Sequence, residues 1–300
     1  MVCSFFNQGA KVRILPVFYA KNLHLRSPFT SNANAFPMHP IITSPQNPKI
    51  RNILTLEKAR ERKKQNLCVI EGLKELSLAM AGGYTLNSVF FCPDIIPAEE
   101  VLELVKHEQL LIPVQQAVFE KIAYRESTGG VLTLATPKKH TLESLTLRPE
   151  PLLLILEGVE KPGNLGAILR TADAVGADAV IICDPQTDFY NPNVIRSSVG
   201  CVFTTAIASA TSEETIAWLK DAGINIYCTY LQASVPYYET DFRKGCAIVM
   251  GTESTGLSDV WVKQSDANII IPMQGKIDSM NVSTAAAVVV FEAKRQRIAR

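Results

Sequence analysis

The chain has 300 residues, 47% of them apolar and 20% charged, with a net charge of +1. That is enough for two packed domains of ordinary globular composition, which excludes a disordered or fibrous protein. The near-neutral balance gives no global pull toward nucleic acid, so such binding has to come from local patches.

Residues 1–37 contain Lys11, Arg13, Lys21 and Arg26 and no acid. This composition fits an organellar transit peptide, or an untranslated leader with the working start at Met38, which is the preferred reading. In either case the segment is set aside as a leader. Patterned sequence begins at Met38. Lys49–Lys64 reads as one helix with Ile50, Ile53, Leu54 and Leu56 on its apolar stripe. The same window carries seven basic residues against Glu57 and Glu61, a local charge of +5. A strand over Leu67–Ile70, a helix over Leu73–Ala81 closed by Gly82 and Gly83, and a strand over Ser88–Cys92 follow. A helix over Glu99–His107, a strand over Leu110–Val114, and a loop with Arg125, Gly129 and Gly130 lead into the strand Val131–Ala135. Residues 38–140 are thus a small α/β domain. Pro137, Lys138, Lys139 and Pro149 mark the tether to the second half, placed at 141–150.

From residue 151 strands and helices alternate. Strands are expected at Leu152–Leu156, Ala179–Cys183, Thr204–Ala208, Ile224–Tyr230, Cys246–Met250 and Ile269–Ile271. Helices are expected at Leu165–Val175, Pro192–Val199, Asp259–Gln264 and from Val282 onward to the basic end at Lys294, Arg295, Arg297 and Arg300. Thr211 with Glu214 forms a capping box for a further helix ending at Gly223. Such alternation means a parallel sheet covered on both faces, with ligands outside the carboxyl ends of the strands.

The seven cysteines include no CxxC pair, and Cys183, Cys228 and Cys246 lie in apolar strand-like runs. They read as core residues in a reducing compartment, neither metal ligands nor disulfides. The last of the four histidines is His140, so a histidine-based site within the second half is excluded. No apolar run reaches the roughly 18 residues of a membrane span. A cytoplasmic location follows, or organellar import if the leader is a transit peptide.

Three strand-to-loop-to-helix transitions stand out. LEGVEKPGNLGAILRTADAVGA spans 156–177, VMGTESTGLS spans 249–258, and NIIIPMQGKIDSMNVSTAAA begins at Asn268. The second has the glycine spacing of a triphosphate loop but Leu257 in place of its lysine, so it lacks the cation that meets phosphate. Gly163 and Gly166 do not have dinucleotide spacing. In the third loop a hydroxyl, a methionine and a carboxamide stand in a row, followed by small residues Ser283 to Ala287 that admit close backbone approach.

Together the three stretches resemble the motifs of the SpoU/TrmH family of RNA ribose 2′-O-methyltransferases, within the SPOUT superfamily. The matching positions are Asn164, Gly166 and Arg170; Gly251, Glu253, Gly256 and Leu257; and Ile271, Pro272, Met273, Gly275, Ser279, Asn281, Val282 and Ser283. The resemblance covers 151–300 with motif order and spacing intact. Met280 departs from the usual leucine, a swap of similar size and polarity. The resemblance implies a SPOUT domain with a trefoil knot, S-adenosyl-L-methionine as cofactor, a homodimer packed through the C-terminal helix, and a ribosomal-protein-like RNA-binding leader domain.

It also implies a site. Gly251, Ile271 and Met280 are the expected cofactor-binding positions, and Arg170, Asn164, Glu253, Ser279 and Asn281 the catalytic ones. The family gives the proton of the ribose hydroxyl to the position of Arg170. A guanidinium is too basic for a literal base, so stabilising the developing alkoxide or gripping the adjacent phosphate fits it better. Asn164 is either a helix cap or a contact to RNA or Arg170. Glu253 holds Arg170 or a substrate amide, and Ser279 and Asn281 bind phosphate or order the loop. Arg196 and Ser198 are secondary candidates for RNA or subunit contacts. Lys58, Arg60, Arg62, Lys63, Lys64 and Arg125 are the expected RNA contacts of the leader domain. No metal cluster is present in the sequence pattern, and in-line methyl transfer needs none.

The expected protein is therefore α/β, with a C-terminal parallel-sheet domain and a smaller N-terminal RNA-binding α/β domain. Its expected activity is ribose 2′-O-methylation of structured RNA, rRNA before tRNA. The alternatives are a catalytically silent RNA-binding ribosome-assembly factor on the same scaffold, or methylation of a base.

Overall fold

The computed structural model describes residues 39–298, apart from 126–128 and 234. The leader over 1–37, the start at Met38 and the terminal Arg300 lie outside the described residues. Those described belong to one compact unit.

The first part contains α1 (Pro48–Thr55), α2 (Ala59–Gln65), β1 (Cys68–Glu71), α3 (Leu73–Ala81) and β2 (Thr85–Phe91). It continues with α4 (Ala98–Val105), β3 (Leu111–Pro113), α5 (Gln116–Ile122) and β4 (Val131–Thr136). The sheet order is β1-β4-β2-β3, antiparallel except for the β2–β3 pair. Two expectations change. The helix over Lys49–Lys64 is broken into α1 and α2, because the Arg62 guanidinium takes the Leu56 and Glu57 carbonyls, each at 2.7 Å. An unbroken helix would give those carbonyls to backbone N–H groups four residues on. Helix α5 has no counterpart in the sequence reading; it buries Val118, Phe119 and Ile122.

The second part runs β5 (Leu152–Glu157), α6 (Pro162–Val175), β6 (Ala179–Cys183), α7 (Pro192–Ser197), β7 (Ile207–Ala210) and α8 (Ser212–Asp221). Then come β8 (Asn225–Thr229), β9 (Val235–Pro236), β10 (Cys246–Met250), α9 (Asp259–Gln264), β11 (Ala267–Ile270) and α10 (Val282–Ile298). All seven strands are parallel, in the order β7-β6-β5-β10-β8-β11-β9. Strand β10 therefore enters between β5 and β8, and β11 between β8 and β9. The Thr211–Glu214 capping box forms in both directions, at 2.9 and 3.1 Å. Cys183, Cys228 and Cys246 are buried free thiols, and burial pushes each above the ordinary thiol range.

The two sheets share a core. One buried cluster runs from Leu76 and Phe91 through Val202 and Phe203 to Leu154, Ile168 and Val289. A second, around Leu153, Ile181, Ile216 and Trp261, lies on the other face of the seven-stranded sheet. The connecting stretch is fastened rather than loose. Leu142 is buried, and His140 bonds the Ile207 carbonyl at 3.2 Å and the Tyr190 hydroxyl at 2.7 Å.

Helix α10 is apolar from Ala285 to Phe291 and mostly polar from Glu292 on. Ala286, Val289, Val290 and Ala293 face inward and are fully buried within the chain. Positions 284, 288, 291, 295 and 298 form the opposite stripe by helical periodicity. On it Phe291 is 51% exposed and Ile298 64%.

Candidate active site

In a parallel sheet all carboxyl ends lie on one edge, and ligands gather there. Three adjacent strands, β10, β8 and β11, end together, and their following loops enclose a cleft of about 800 Å³. It is lined by Tyr230 and Leu231 after β8, by Gly251 to Leu257 after β10, and by Ile271, Met273 and Asp278 to Asn281 after β11. That volume is in the range of small-molecule sites, roughly 300–1,000 Å³.

The loop after β10 turns tightly on itself. Thr252 N–H reaches the Gly256 carbonyl at 3.1 Å, and Gly256 N–H returns to Thr252 at 3.2 Å. A Cβ on Gly251 would lie 2.5 Å from the Leu257 nitrogen, so glycine is required there by the turn itself. Glu157, at the end of β5, braces this loop by accepting Ser258 N–H at 2.8 Å and its hydroxyl at 2.5 Å. Gly166 is required for a different reason. A Cβ there would come 2.7 Å from the Val194 carbonyl, where α7 crosses α6.

At the rim, three motif residues meet. Asn164 donates from Nδ2 to Glu253 Oε1 at 3.1 Å, and Asn281 donates from Nδ2 to the same oxygen at 2.8 Å and to Asn164 Oδ1 at 3.1 Å. Lys161 bonds the other oxygen, Glu253 Oε2. The Lys161 ammonium beside it holds the Glu253 carboxyl below the usual carboxylate range, with the Asn164 amide and Val282 N–H acting the same way. Asn281 also caps α10, since its Oδ1 accepts Ser283 N–H at 3.0 Å and the Ser283 hydroxyl at 2.6 Å.

Several expectations are corrected here. Asn164 is not the cap of α6; Lys161 holds that position, and Asn164 sits at the third helical residue with its amide aimed at Glu253. Glu253 holds Lys161, not Arg170. Arg170 is exposed on α6, and its side chain makes no hydrogen bond or ion pair among the described residues. Six residues separate it from Asn164, about 9 Å along the helix and about 120° around it. Ser279 lines the cleft and donates to Asp278 Oδ1 at 3.0 Å, apart from the rim cluster. Ser198 is fully buried and donates to the Ile195 carbonyl, which removes it as a contact residue, whereas Arg196 is exposed. Lys161 and Glu157 were missed. Lys161 does stand just before Pro162, a helix-opening proline, which places it at the rim without revealing its partner.

The basic stripe is also revised. Lys58, Arg60, Lys63 and Lys64 are exposed. Arg62 is not: its side chain is 4% exposed and paired with Asp188 at 2.5 Å. Around a helix it points away from Arg60, Lys63 and Lys64, so it faces the protein. Arg125 bonds Glu75 at 2.5 Å with 28% of its side chain exposed, leaving it only a partial role at the surface.

Residues 151–291 match the SpoU rRNA Methylase family, and residues 47–133 match the MRM3-like substrate binding domain. The 23S rRNA (guanosine-2′-O-)-methyltransferase RlmB of Ralstonia nicotianae is 39% identical over 194 residues, covering 62% of this chain and 77% of the relative. The chain belongs to the SpoU rRNA methylase family. The 23S rRNA (guanosine(2553)-2′-O)-methyltransferase RlmP of Bacillus subtilis is 28% identical over 258 residues, 83% of this chain and 97% of the relative. Among solved structures, the AdoMet-bound rRNA methyltransferase of Sinorhizobium meliloti superposes with a TM-score of 0.79 at 30% identity, covering 85% of this chain and 97% of that one. This SpoU chain thus carries its rim cluster, one residue from each motif, at the edge of a cleft walled by the second and third motif loops and the loop after β8.

Proposed function

We infer that the chain transfers the methyl group of S-adenosyl-L-methionine to a ribose 2′-hydroxyl of ribosomal RNA. The observation that carries this is the convergence of Asn164, Glu253 and Asn281, one from each motif, on the rim of the cleft in a SpoU chain. Relatives named as 23S rRNA methyltransferases favour rRNA over tRNA.

The cleft fits the cofactor. It has the volume, it is walled by Met250, Ile269 and Ile271, and Gly251, Ile271 and Met280 all line it, with the loop backbones supplying hydrogen-bonding groups. When bound, S-adenosyl-L-methionine supplies an electrophilic methyl group. The protein's part is to hold the hydroxyl in line at about 3–3.5 Å, a contribution of roughly 7–11 kcal/mol. Glu253, held ionised, is a weak acceptor for an alcohol proton and serves to fix both amides. Asn164 and Asn281 then present oriented polar atoms to the ribose, and Ser279 borders the same space. Arg170 is assigned the alkoxide or the adjacent phosphate, a role that begins only with RNA bound.

The same reading includes an RNA-holding role for residues 38–140 through Lys58, Arg60, Lys63 and Lys64. It includes a homodimer formed through the outward stripe of α10, and a trefoil knot where β10 and β11 enter the sheet. No helix among the described residues is long and apolar enough to cross a membrane.

The test is methyl transfer from labelled S-adenosyl-L-methionine to ribosomal RNA lacking its natural methylations. Label should appear as 2′-O-methylnucleoside, in an alkali-resistant linkage. Tight cofactor or RNA binding with no transfer would favour the silent assembly factor, and label on a base would replace the ribose reading.

A further inference from the structure

The basic helix α2 contains one arginine that does not face solvent. The Arg62 guanidinium bonds Asp188 Oδ2 through Nε at 2.7 Å and through Nη2 at 2.5 Å, while Nη1 takes two carbonyls at the end of α1. As an ion pair alone it gains little over well-packed hydrocarbon; its stabilising share lies in the two carbonyls that Nη1 satisfies. What the pair adds is direction: a planar fork is satisfied in one register only.

Asp188 belongs to the loop after β6. Its Oδ1 accepts Tyr190 N–H at 3.0 Å. The Tyr190 hydroxyl meets the Tyr84 hydroxyl, just ahead of β2, at 3.0 Å and accepts Lys138 N–H at 3.1 Å. That loop is therefore held from the N-terminal side at two points. From it the Thr187 hydroxyl donates to the Glu160 carbonyl, and the next residue, Lys161, bonds Glu253. The connection from α2 to the rim cluster is short: Arg62, Asp188, Thr187, Glu160, Lys161, Glu253.

We propose that Arg62 and Asp188 are positioning residues that register the exposed basic face of α2 against the methyl-transfer site, and so select which ribose is presented. The proposal rests on the methyltransferase reading above. RNA phosphates held by Lys63 and Lys64 are fixed in the frame of the protein by the third side chain of the same helix. A displacement of about 1 Å at the reacting centre is enough to cost roughly 10²-fold in rate.

The experiment uses the full chain with two variants. Arg62→Met/Asp188→Leu replaces the pair with hydrocarbon and avoids a stranded buried charge. Thr187→Val breaks the link to Glu160 without touching the pair, and keeps the proposal testable if the double variant fails to fold. Thermal unfolding, cofactor affinity, RNA affinity, single-turnover transfer and the position of the methylated nucleotide are measured for each. Expected are unchanged cofactor affinity, RNA affinity within about threefold, and transfer slower by about 10- to 100-fold or spread onto neighbouring riboses. A merely structural pair would lower the unfolding temperature and leave the rate and the target of the folded fraction intact. Folded variants with wild-type rate on the same single nucleotide overturn the proposal. A wild type that transfers no methyl group removes the underlying reading and the proposal with it.

Discussion

Asn164 and Asn281, 117 residues apart, are joined by a 3.1 Å hydrogen bond, and both donate to the same oxygen of Glu253. One carboxylate oxygen thus sets the orientation of two amides from the first and third motifs. Glu253→Gln replaces one acceptor oxygen with an amide nitrogen and removes the charge that holds Lys161. Transfer should fall by about tenfold or more with cofactor affinity kept, because the geometry of the reacting groups is lost while the cleft is intact. Calorimetry and single-turnover transfer on the same preparation check this; an unimpaired variant would reduce the cluster to a loop brace.

Arg170 stands apart from that cluster, and its variant should separate chemistry from binding. Arg170→Ala is expected to lose about 10²–10³ in the transfer step, the usual cost of one preorganised donor, at unchanged cofactor affinity. Arg170→Lys should recover only part, since it keeps the charge and loses the fork. Wild-type rates from Arg170→Ala would make it an ordinary surface arginine of α6.

The exposed charges of α2 can be reversed without harm to the fold. Lys58, Arg60, Lys63 and Lys64 changed together to Glu should leave the unfolding temperature in place and weaken RNA binding. The slope of log affinity against log salt should flatten by about 0.7–0.9 for each RNA phosphate that the variant no longer neutralises. Arg62→Glu should behave differently and destabilise the protein, by about 3–5 kcal/mol, because it strands Asp188 beside a like charge. Equal behaviour of the two sets in denaturation would contradict the burial of Arg62.

Dimerisation should depend on the outward stripe of α10. Ala286, Val289 and Val290 are consumed by the chain's own core, so a partner would have to meet the exposed Phe291 and Ile298, with the half-buried Val288 beside them. Phe291→Glu is expected to sediment as a monomer at micromolar concentration, with the wild type a dimer. A monomeric wild type would end the dimer reading.

Burial pushes the His140 imidazole below its ordinary value of 6.5, against the pull of the Ile207 carbonyl. The folded form therefore takes up its proton later than the unfolded chain as pH falls. His140 has no effect well above pH 6.5, costs stability as pH drops through 6.5, and levels off below its folded value. The slope in that window is at most about 1.4 kcal/mol per pH unit. Unfolding followed from about pH 7.5 to about 5.5 should show a steeper loss in the wild type than in His140→Gln. Parallel curves would mean that the His140–Tyr190 contact opens in solution.

Much of this protein is legible in its sequence. The β/α alternation from Leu152 onward, the Thr211–Glu214 box and the three motifs depend on residues close together in the chain, so local propensity and spacing reveal them. They place Gly251, Glu253 and Asn281 in loops at one edge of a parallel sheet, and Asn164 next to the start of a helix. What only the tertiary structure decided is which side chain meets which. Glu253 finds Lys161 and two amides instead of Arg170, because β10 inserts between β5 and β8 and carries its loop beside the first turn of α6. Arg62 looks like its basic neighbours in sequence, but its side of α2 faces Asp188, 126 residues away. The apolar residues of α10 divide into a face buried at home and a face left outside, a division that periodicity outlines but cannot orient. Charge and period are local properties; the face that meets a neighbour is set by strand order, and strand order is decided only when the whole chain is packed.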